Sequence, residues 1–454
     1  MDNAYIHPLL REMARIFQDR GREVYLVGGA VRDMFRGQRA QDWDLATNAL
    51  PEEVIAMFRW VIPTGIKHGT VTVHYKGRAI EVTTFRTEST YSDGRRPDRV
   101  NFAAAIEEDL SRRDFTMNAI ALRLPSGDPV DPFGGRGDIE KRIIRSVGNP
   151  AERFAEDGLR SLRAVRFAAV LGFAVEEATL AAIRPALGLT AKVSPERIRD
   201  ELDKILGAGK NGGPSTAFRL MEQTGLLELL LPELAACRGV EQKGYHCFDV
   251  LDHSLLAGDY AVREQYPRHV ILAALFHDIG KPATRKAGEQ GVWTFYQHEK
   301  ESSRLCRNIL SRLRYPNAVC DGTCHLIEEH MFHYTGDWSD AAVRRFIIRV
   351  GEENLENLYR LRRADAYAMA GLDPGPEFLL PLAARVDAEL AKGRAFSLKD
   401  LAVSGKDLIE TGIKPGKYMG IILQELFETV VNDPSMNQRE KLLEIAGKIN
   451  QRYM

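Results

Sequence analysis

LVGGAVRDMFRGQRAQDWDL, residues 26–45, runs from an apolar strand-like segment through the turn Gly28-Gly29 to two aspartates, Asp42 and Asp44, one residue apart. Placed on a strand, Asp42-Trp43-Asp44 turns both carboxylates to one face, a geometry suited to two Mg²⁺ ions. Two solvated carboxylates on an edge strand are the plain alternative, and the company the pair keeps favours the first reading. Gly28-Gly29 leaves bare backbone where a phosphate can approach the start of the next helix, and Arg32 supplies a fixed positive charge there. Downstream, Gly69–His74 and Arg78–Phe85 read as alternating strands joined at Lys76-Gly77, a hairpin signal that brings Glu81 toward the aspartates as a third carboxylate. Together these are the skeleton expected of a nucleotidyl-transfer site.

Two further segments carry polar chemistry. In RRDFTMNA, residues 112–119, a helix would make Asp114 and Asn118 neighbours at i and i+4, offering one polar edge to a ribose or base. In EDGLRSLRAVRF, residues 156–167, positions 157, 160, 163 and 166 recur every third residue and predict a polar stripe along one helix, with Arg163 and Arg166 as further nucleotide-binding candidates. Asp157 accepts and Arg160 donates, a pair able to match the base edge shared by cytosine and adenine and so to accept CTP and ATP while rejecting UTP and GTP. The competing reading is an intrahelical ion pair on a solvated face, worth about 0.3–0.5 kcal/mol.

These three signatures, in this order, resemble the class II tRNA nucleotidyltransferase and bacterial poly(A) polymerase family over residues 20–210, ending near Glu196–Leu202. The resemblance implies an α+β chain: a polymerase-β-like catalytic head with a mixed sheet over residues 1–145, a helical neck with the base-selecting motif over 146–210, a helical body over 211–375 and a helical tail, binding tRNA, over 376–454. Carried over residue by residue, Asp42 and Asp44 match the metal-binding pair, Glu81 the accessory acid, and Gly28, Gly29, Arg32 and Asp33 the triphosphate motif. Arg113, Asp114 and Asn118 match the ribose and triphosphate motif, and Asp157 and Arg160 the protein template for base choice. The implied reaction is template-independent addition of CCA to a tRNA 3′ end from CTP and ATP with two Mg²⁺ ions. Addition of A alone and poly(A) synthesis are the alternatives within the family. Tyr91–Val100, rich in charge and punctuated by Gly and Pro, reads as a mobile loop similar to that of the A-adding enzymes, which argues against a CC-only enzyme.

Beyond residue 240 another pattern begins. His253, His277-Asp278 in ALFHDIGKP and Asp365 resemble the H…HD…D signature of the HD phosphohydrolase superfamily, which implies a divalent transition metal bound within the helical body and a possible phosphohydrolase activity. His298, His330 and His333 either extend that site toward a phosphate or second metal, or are satisfied structural histidines. An RNA-binding HD phosphohydrolase with an inactive head is therefore the reading from a different class.

Composition bounds the rest. The 454 residues suffice for about three domains, and 44% hydrophobic with 28% charged residues is ordinary for a globular protein. With 62 basic against 63 acidic residues the formal charge is −1, so an RNA footprint must come from segregated charge, as at Arg95-Arg96-Arg99, Arg112-Arg113, Lys141-Arg142-Arg145, the Arg160 stripe and Arg360-Arg362-Arg363. Five cysteines give no disulfide framework, and Cys320 and Cys324 lack the second pair a zinc site needs. The sequence shows neither a signal peptide nor an apolar run of about 20 residues, so a cytoplasmic protein with no membrane partner is expected. After Asp131 the segments Ala155–Val170, Glu196–Leu206, Ser215–Thr224, Ser302–Leu313, Asp340–Val350, Glu352–Ala370 and Pro381–Ala391 read as amphipathic helices, and Val403–Gly420 as a helix-hairpin-helix-like segment.

Overall fold

The computed structural model describes residues 6–40, 42–89, 99–209, 213–242, 247–288, 293–392 and 397–452; residues 91–98 of the expected mobile loop, with Arg95 and Arg96, lie outside the described residues. The chain divides into two compact units, Met1–Ala236 with Ile309–Tyr315 and Cys237–Asn308 with Pro316–Met454.

In the first unit, helix α1 (Pro8–Gln18) buries Leu9, Leu10, Met13, Ala14 and Phe17, one stripe at helical spacing. Strand β1 (Val24–Val27) is buried along its whole length, as a central strand covered on both faces must be. It turns at Gly28 into α2 (Gly29–Phe35), and the chain continues through β2 (Asp44–Thr47), α3 (Pro51–Met57), β3 (Val61–Gly65), β4 (Thr70–Tyr75) and β5 (Arg78–Thr84). The expected hairpin is present: β4 and β5 pair antiparallel around Lys76 and Gly77, whose φ angles of 47° and 80° fit a tight turn with both central residues left-handed. A separate ribbon of β6 (Arg86–Ser89) and β7 (Arg99–Phe102) precedes α4 (Ile106–Ser111), β8 (Ala121–Arg123) and β9 (Pro129–Val130). The main sheet has the order β3-β4-β5-β2-β1-β8-β9 and is mixed, β2 and β5 running parallel and the other pairs antiparallel. Tyr25, Val27, Ala46 and Ala121 on one sheet face pack with Ile106 and Leu110 of α4.

From α5 (Gly135–Lys141) onward the unit is helical, as expected, except for a two-stranded parallel pair, Ile143–Ile144 with Ala174–Val175, that periodicity did not reveal. The helix anticipated from Ala155 to Val170 is two helices, α6 (Pro150–Glu156) and α7 (Leu159–Leu171), broken at Asp157-Gly158. The second unit is built of helices including Val250–Arg263, Arg268–Phe276, Asn317–Glu329, Asp340–Val350 and Leu355–Ala370, with one short pair of strands, Lys286–Ala287 and Trp293–Thr294. At its C-terminal end Gly405–Glu410, Lys417–Asn432 and Arg439–Gln451 close around Leu408, Ile422, Leu426 and Leu442. Among the described residues no helix is long and apolar enough to cross a membrane.

Candidate active site

The turn after β1 is built for close approach. Gly28 has φ 73° and ψ −140°, and a Cβ there would lie 3.3 Å from Arg113 Nη1 and 3.5 Å from Asp44 Oδ2. Because β1 turns away at Gly28, its pairing with β2 ends at Val27↔Asp44, and Asp42 and Trp43 stand ahead of the strand rather than on it. Alternation along a strand is therefore not what positions Asp42; Trp43 between the two aspartates is held by the His7 ring at 4.8 Å and the Arg78 guanidinium at 4.8 Å. Asp44 lies directly beside Glu81 across the parallel β2–β5 pair. Burial raises the Asp44 pKa, the charges of Glu81 and Asp42 raise it further, and Arg113 opposes them. Asp42, Asp44 and Glu81 are all exposed, and the repulsion that Glu81 and Asp42 exert on Asp44 is what a divalent cation would relieve.

Arg32 donates from Nη1 to Asn118 Oδ1 at 3.1 Å and pairs with Asp33 at 3.0 Å. Asp33 is also paired with Arg36 at 3.2 Å, so its carboxylate is shared between Arg32 of α2 and Arg36, the residue that follows the helix. Asp114 and Asn118 are adjacent but not on a helix: Phe115 bridges to Ser146 as extended backbone, and only Thr116–Asn118 forms a 3₁₀ turn. The i, i+4 contact survives because Asn118 Nδ2 donates to Asp114 Oδ1 at 3.1 Å, while Arg163 Nε donates to Asp114 Oδ2 at 2.8 Å. Burial pushes the Asp114 carboxyl up, but Arg163 and the hydrogen bond from Asn118 outweigh it and hold its pKa at about 2.

The polar stripe also departs from expectation. Asp157 has extended backbone and precedes α7, so it is not in helical register with Arg160. The two side chains do not bond to each other, so the solvated ion pair is not formed, and each faces the cavity from its own anchor. Asp157 Oδ2 accepts from Arg197 at 2.7 Å, whereas Arg160, 8% exposed, donates to Glu156 at 2.5 Å and to the carbonyls of Arg153 and Arg112 at 2.8 and 2.9 Å. Arg166 pairs with Glu201 at 2.5 Å, and its guanidinium lies 3.7 Å from the centre of the Phe167 ring.

One cavity of about 800 Å³ gathers Gly28, Gly29, Arg32, Asp44, Arg113, Asp114, Asn118, Asp157, Arg160, Arg163 and Arg166 from these separate motifs. It also contains Arg112, already marked as part of a charge cluster, and His68, Thr70, Arg86, Phe167 and Arg197, which motif reading did not assign. Arg197 lies in the Glu196–Leu202 segment already marked as family-like, and that was its only signal.

The second unit brings His253, His277, Asp278 and Asp365 together, all buried. His253 Nε2 lies 3.1 Å from His277 Nε2, 3.4 Å from Asp278 Oδ2 and 3.2 Å from Asp365 Oδ1. Lys281 Nζ donates to Asp278 Oδ2 at 2.6 Å and to Gln242 Oε1 at 2.5 Å. Burial opposes a charge on His277, but Asp278 and Asp365 outweigh it and hold its pKa up at about 10. His298 and His330 join this cluster, 5% and 1% exposed, whereas His333 is exposed.

Residues 24–145 match the family described as Poly A polymerase head domain, 172–238 the probable RNA and SrmB-binding site of polymerase A, and 287–446 the tRNA nucleotidyltransferase domain 2. The CCA-adding enzyme of Enterococcus faecalis is 34% identical over 451 residues, covering 97% of this chain and 95% of that protein. That of Geobacillus stearothermophilus is 36% identical over 430 residues, covering 93% and 92%. The crystal structure of the Bacillus stearothermophilus CCA-adding enzyme in complex with CTP superposes with a TM-score of 0.72 at 33% identity, covering 99% of each chain. With relatives at this identity matched over nearly their whole length, and the mixed sheet and arginine-lined cavity beside them, the chain belongs to the CCA-adding enzyme family of tRNA nucleotidyltransferases.

Proposed function

We propose that this protein adds C, C and A to immature tRNA 3′ ends, using CTP and ATP, through the first unit's cavity. The observation that carries this reading is the joining of Asp44, beside Glu81, to a cavity holding eight arginines and the Asp157 carboxylate. Two Mg²⁺ ions held by Asp42 and Asp44, with Glu81 as accessory acid, would supply the charge that stabilises entering and leaving oxygens. Arg32 and Arg113 bind the triphosphate, Gly28 and Gly29 let it approach the backbone, and Asn118 keeps Arg32 aimed. Asp157 and Arg160 read the base as two independently anchored groups, Asp157 held by Arg197. In this reading the head spans 1–145, the neck 146–210, the body 211–375 and the tRNA-binding tail 376–454, in a cytoplasmic protein.

The same reading assigns the second unit an HD-type site in which His253, His277, Asp278 and Asp365 hold a divalent transition metal. The donor set suits such an ion, with two imidazoles and two carboxylates converging in a buried space.

Three tRNA transcripts, ending before CCA, after C and after CC, test the function when incubated with CTP, ATP or both and resolved to single nucleotides. Three-residue extension of the first is expected with both nucleotides; A added only to the CC-ended transcript would replace this conclusion with A addition alone. Asp42→Ala is expected to cut incorporation by at least about 10²–10³-fold, the scale of losing one transition-state charge contact, while tRNA binding measured by filter retention persists.

A further inference from the structure

Asp42 is exposed, stands ahead of β2, and its carboxylate has no hydrogen-bond or ion-pair partner among the described residues. A side chain with so little of its own to hold it takes its place from its neighbour in the chain. Trp43 meets the His7 ring at 4.8 Å between centroids with 44° between planes, and the Arg78 guanidinium lies 4.8 Å from the centre of the Trp43 ring. Arg78 and Glu81 are three positions apart on β5 and so stand on opposite faces of the sheet, which puts the indole behind the carboxylates and not among them. Trp43 is half-buried and borders a cavity of about 480 Å³ with Leu26 and Met34, so its two partners, not close packing on all sides, fix it. Both partners are themselves held. His7 caps α1, its Nδ1 accepting from the Leu9 N–H at 3.2 Å, and the buried stripe of α1 anchors that helix. Arg78 opens β5, and Lys76 in the turn just before it pairs with Glu12 of α1, which ties the two partners of the indole to each other.

From this geometry we infer that Trp43, held by His7 and Arg78, is the positioning residue that sets the Asp42 carboxylate for a divalent cation. The inference deepens the transferase reading above and rests on it for the role of Asp42. Released from its two partners, the indole no longer fixes the backbone between the aspartates, and Asp42 samples orientations that do not meet the ion. Affinity for the cation falls, while the triphosphate contacts assigned to Arg32 and Arg113, which lie on other elements, stay as they are. Residues that orient a metal ligand from behind typically carry about 10–100-fold in metal affinity.

Mn²⁺ binding by the full chain, followed as loss of the free-ion electron paramagnetic resonance signal, tests this. A variant carrying both Asp42→Ala and Asp44→Ala supplies the reference, so that ions bound elsewhere subtract. Trp43→Ala is expected to weaken the first unit's Mn²⁺ by about 10-fold or more, and Trp43→Phe, which keeps a ring for both partners, to restore most of it. Arg78→Gln is expected to weaken it as well and Arg78→Lys, which keeps the cation, to do so less; His7→Asn removes the ring while keeping a helix cap. In incorporation assays the same variants raise the Mg²⁺ concentration that gives half-maximal rate, with the KM for CTP at saturating Mg²⁺ unchanged. Circular dichroism and thermal melting establish that each variant is folded, and Arg78→Gln, at an exposed position, carries the test if Trp43→Ala is not. Mn²⁺ held as tightly by these variants as by the parent would overturn the positioning role and leave the metal reading in place. A parent that binds no more Mn²⁺ than the double aspartate variant would overturn the metal reading itself, and the positioning role with it.

Discussion

Arg197 supplies a single contact on which the proposed base choice by Asp157 depends. Its guanidinium is 2.7 Å from Asp157 Oδ2 and comes from the distant helix Pro195–Ile205. Without it the carboxylate loses a charge-assisted hydrogen bond worth about 1.5–3 kcal/mol and the orientation that bond imposes. Arg197→Ala is therefore expected to lower CTP discrimination against UTP, read as the ratio of kcat/KM values, by about that free energy while leaving the metal requirement unchanged. Asp114 makes a different kind of statement. Its pKa is held at about 2 against 3.8 in the unfolded chain, a shift that corresponds to about 2 kcal/mol of stability. Because the folded value is depressed, that stability is fully present above about pH 4 and is lost as pH falls through about 2. Asp114→Asn is expected to cost about 2 kcal/mol at pH 6 and to flatten the acid limb, followed by urea denaturation from pH 2 to 6.

At the scale of elements, the decisive feature is the break between α6 and α7. A Cβ on Gly158 would lie 2.5 Å from the carbonyl carbon and oxygen of Leu189 and 2.7 Å from the Thr190 nitrogen, all backbone atoms that cannot move aside cheaply. Gly158→Ala is expected to destabilise the protein by about 1–3 kcal/mol in chemical denaturation. It should also weaken CTP and ATP selection, because Asp157 is displaced with it. The residues of this region were legible in the sequence, but their geometry was not. Three-residue spacing announced Asp157, Arg160, Arg163 and Arg166 correctly as one polar group, yet a tertiary contact, not helical periodicity, places Asp157. The Asp114–Asn118 pair fails as a helix for a related reason, since Phe115 is drawn into a bridge with Ser146. By contrast the Lys76-Gly77 hairpin, whose turn chemistry is local, was readable almost to the residue.

For the whole molecule, near-neutral charge conceals strong segregation. A chain of formal charge −1 concentrates eight arginines around one cavity that also contains Asp44, Asp114 and Asp157. Several of those arginines are engaged by carboxylates, so the field offered to a triphosphate is what remains after internal pairing. Raising ionic strength is expected to increase the KM for CTP and ATP with much less effect on kcat, measured under steady state with saturating tRNA. Composition excluded a basic protein; the sequence marked Arg112-Arg113 and the Arg160 stripe as charge clusters, and the fold reveals that they meet around one cavity. Phe167 was not assigned because an apolar position at helical spacing reads as core, and Arg197 had no signal beyond the family-like segment it lies in. The anchoring of Arg160 has an evolutionary consequence. Two of its three acceptors are the main-chain carbonyls of Arg112 and Arg153, which every replacement at those positions retains. Mutational drift can rewrite both neighbouring side chains without releasing the guanidinium proposed to read the base, so the most robust part of its anchorage is the part written in backbone.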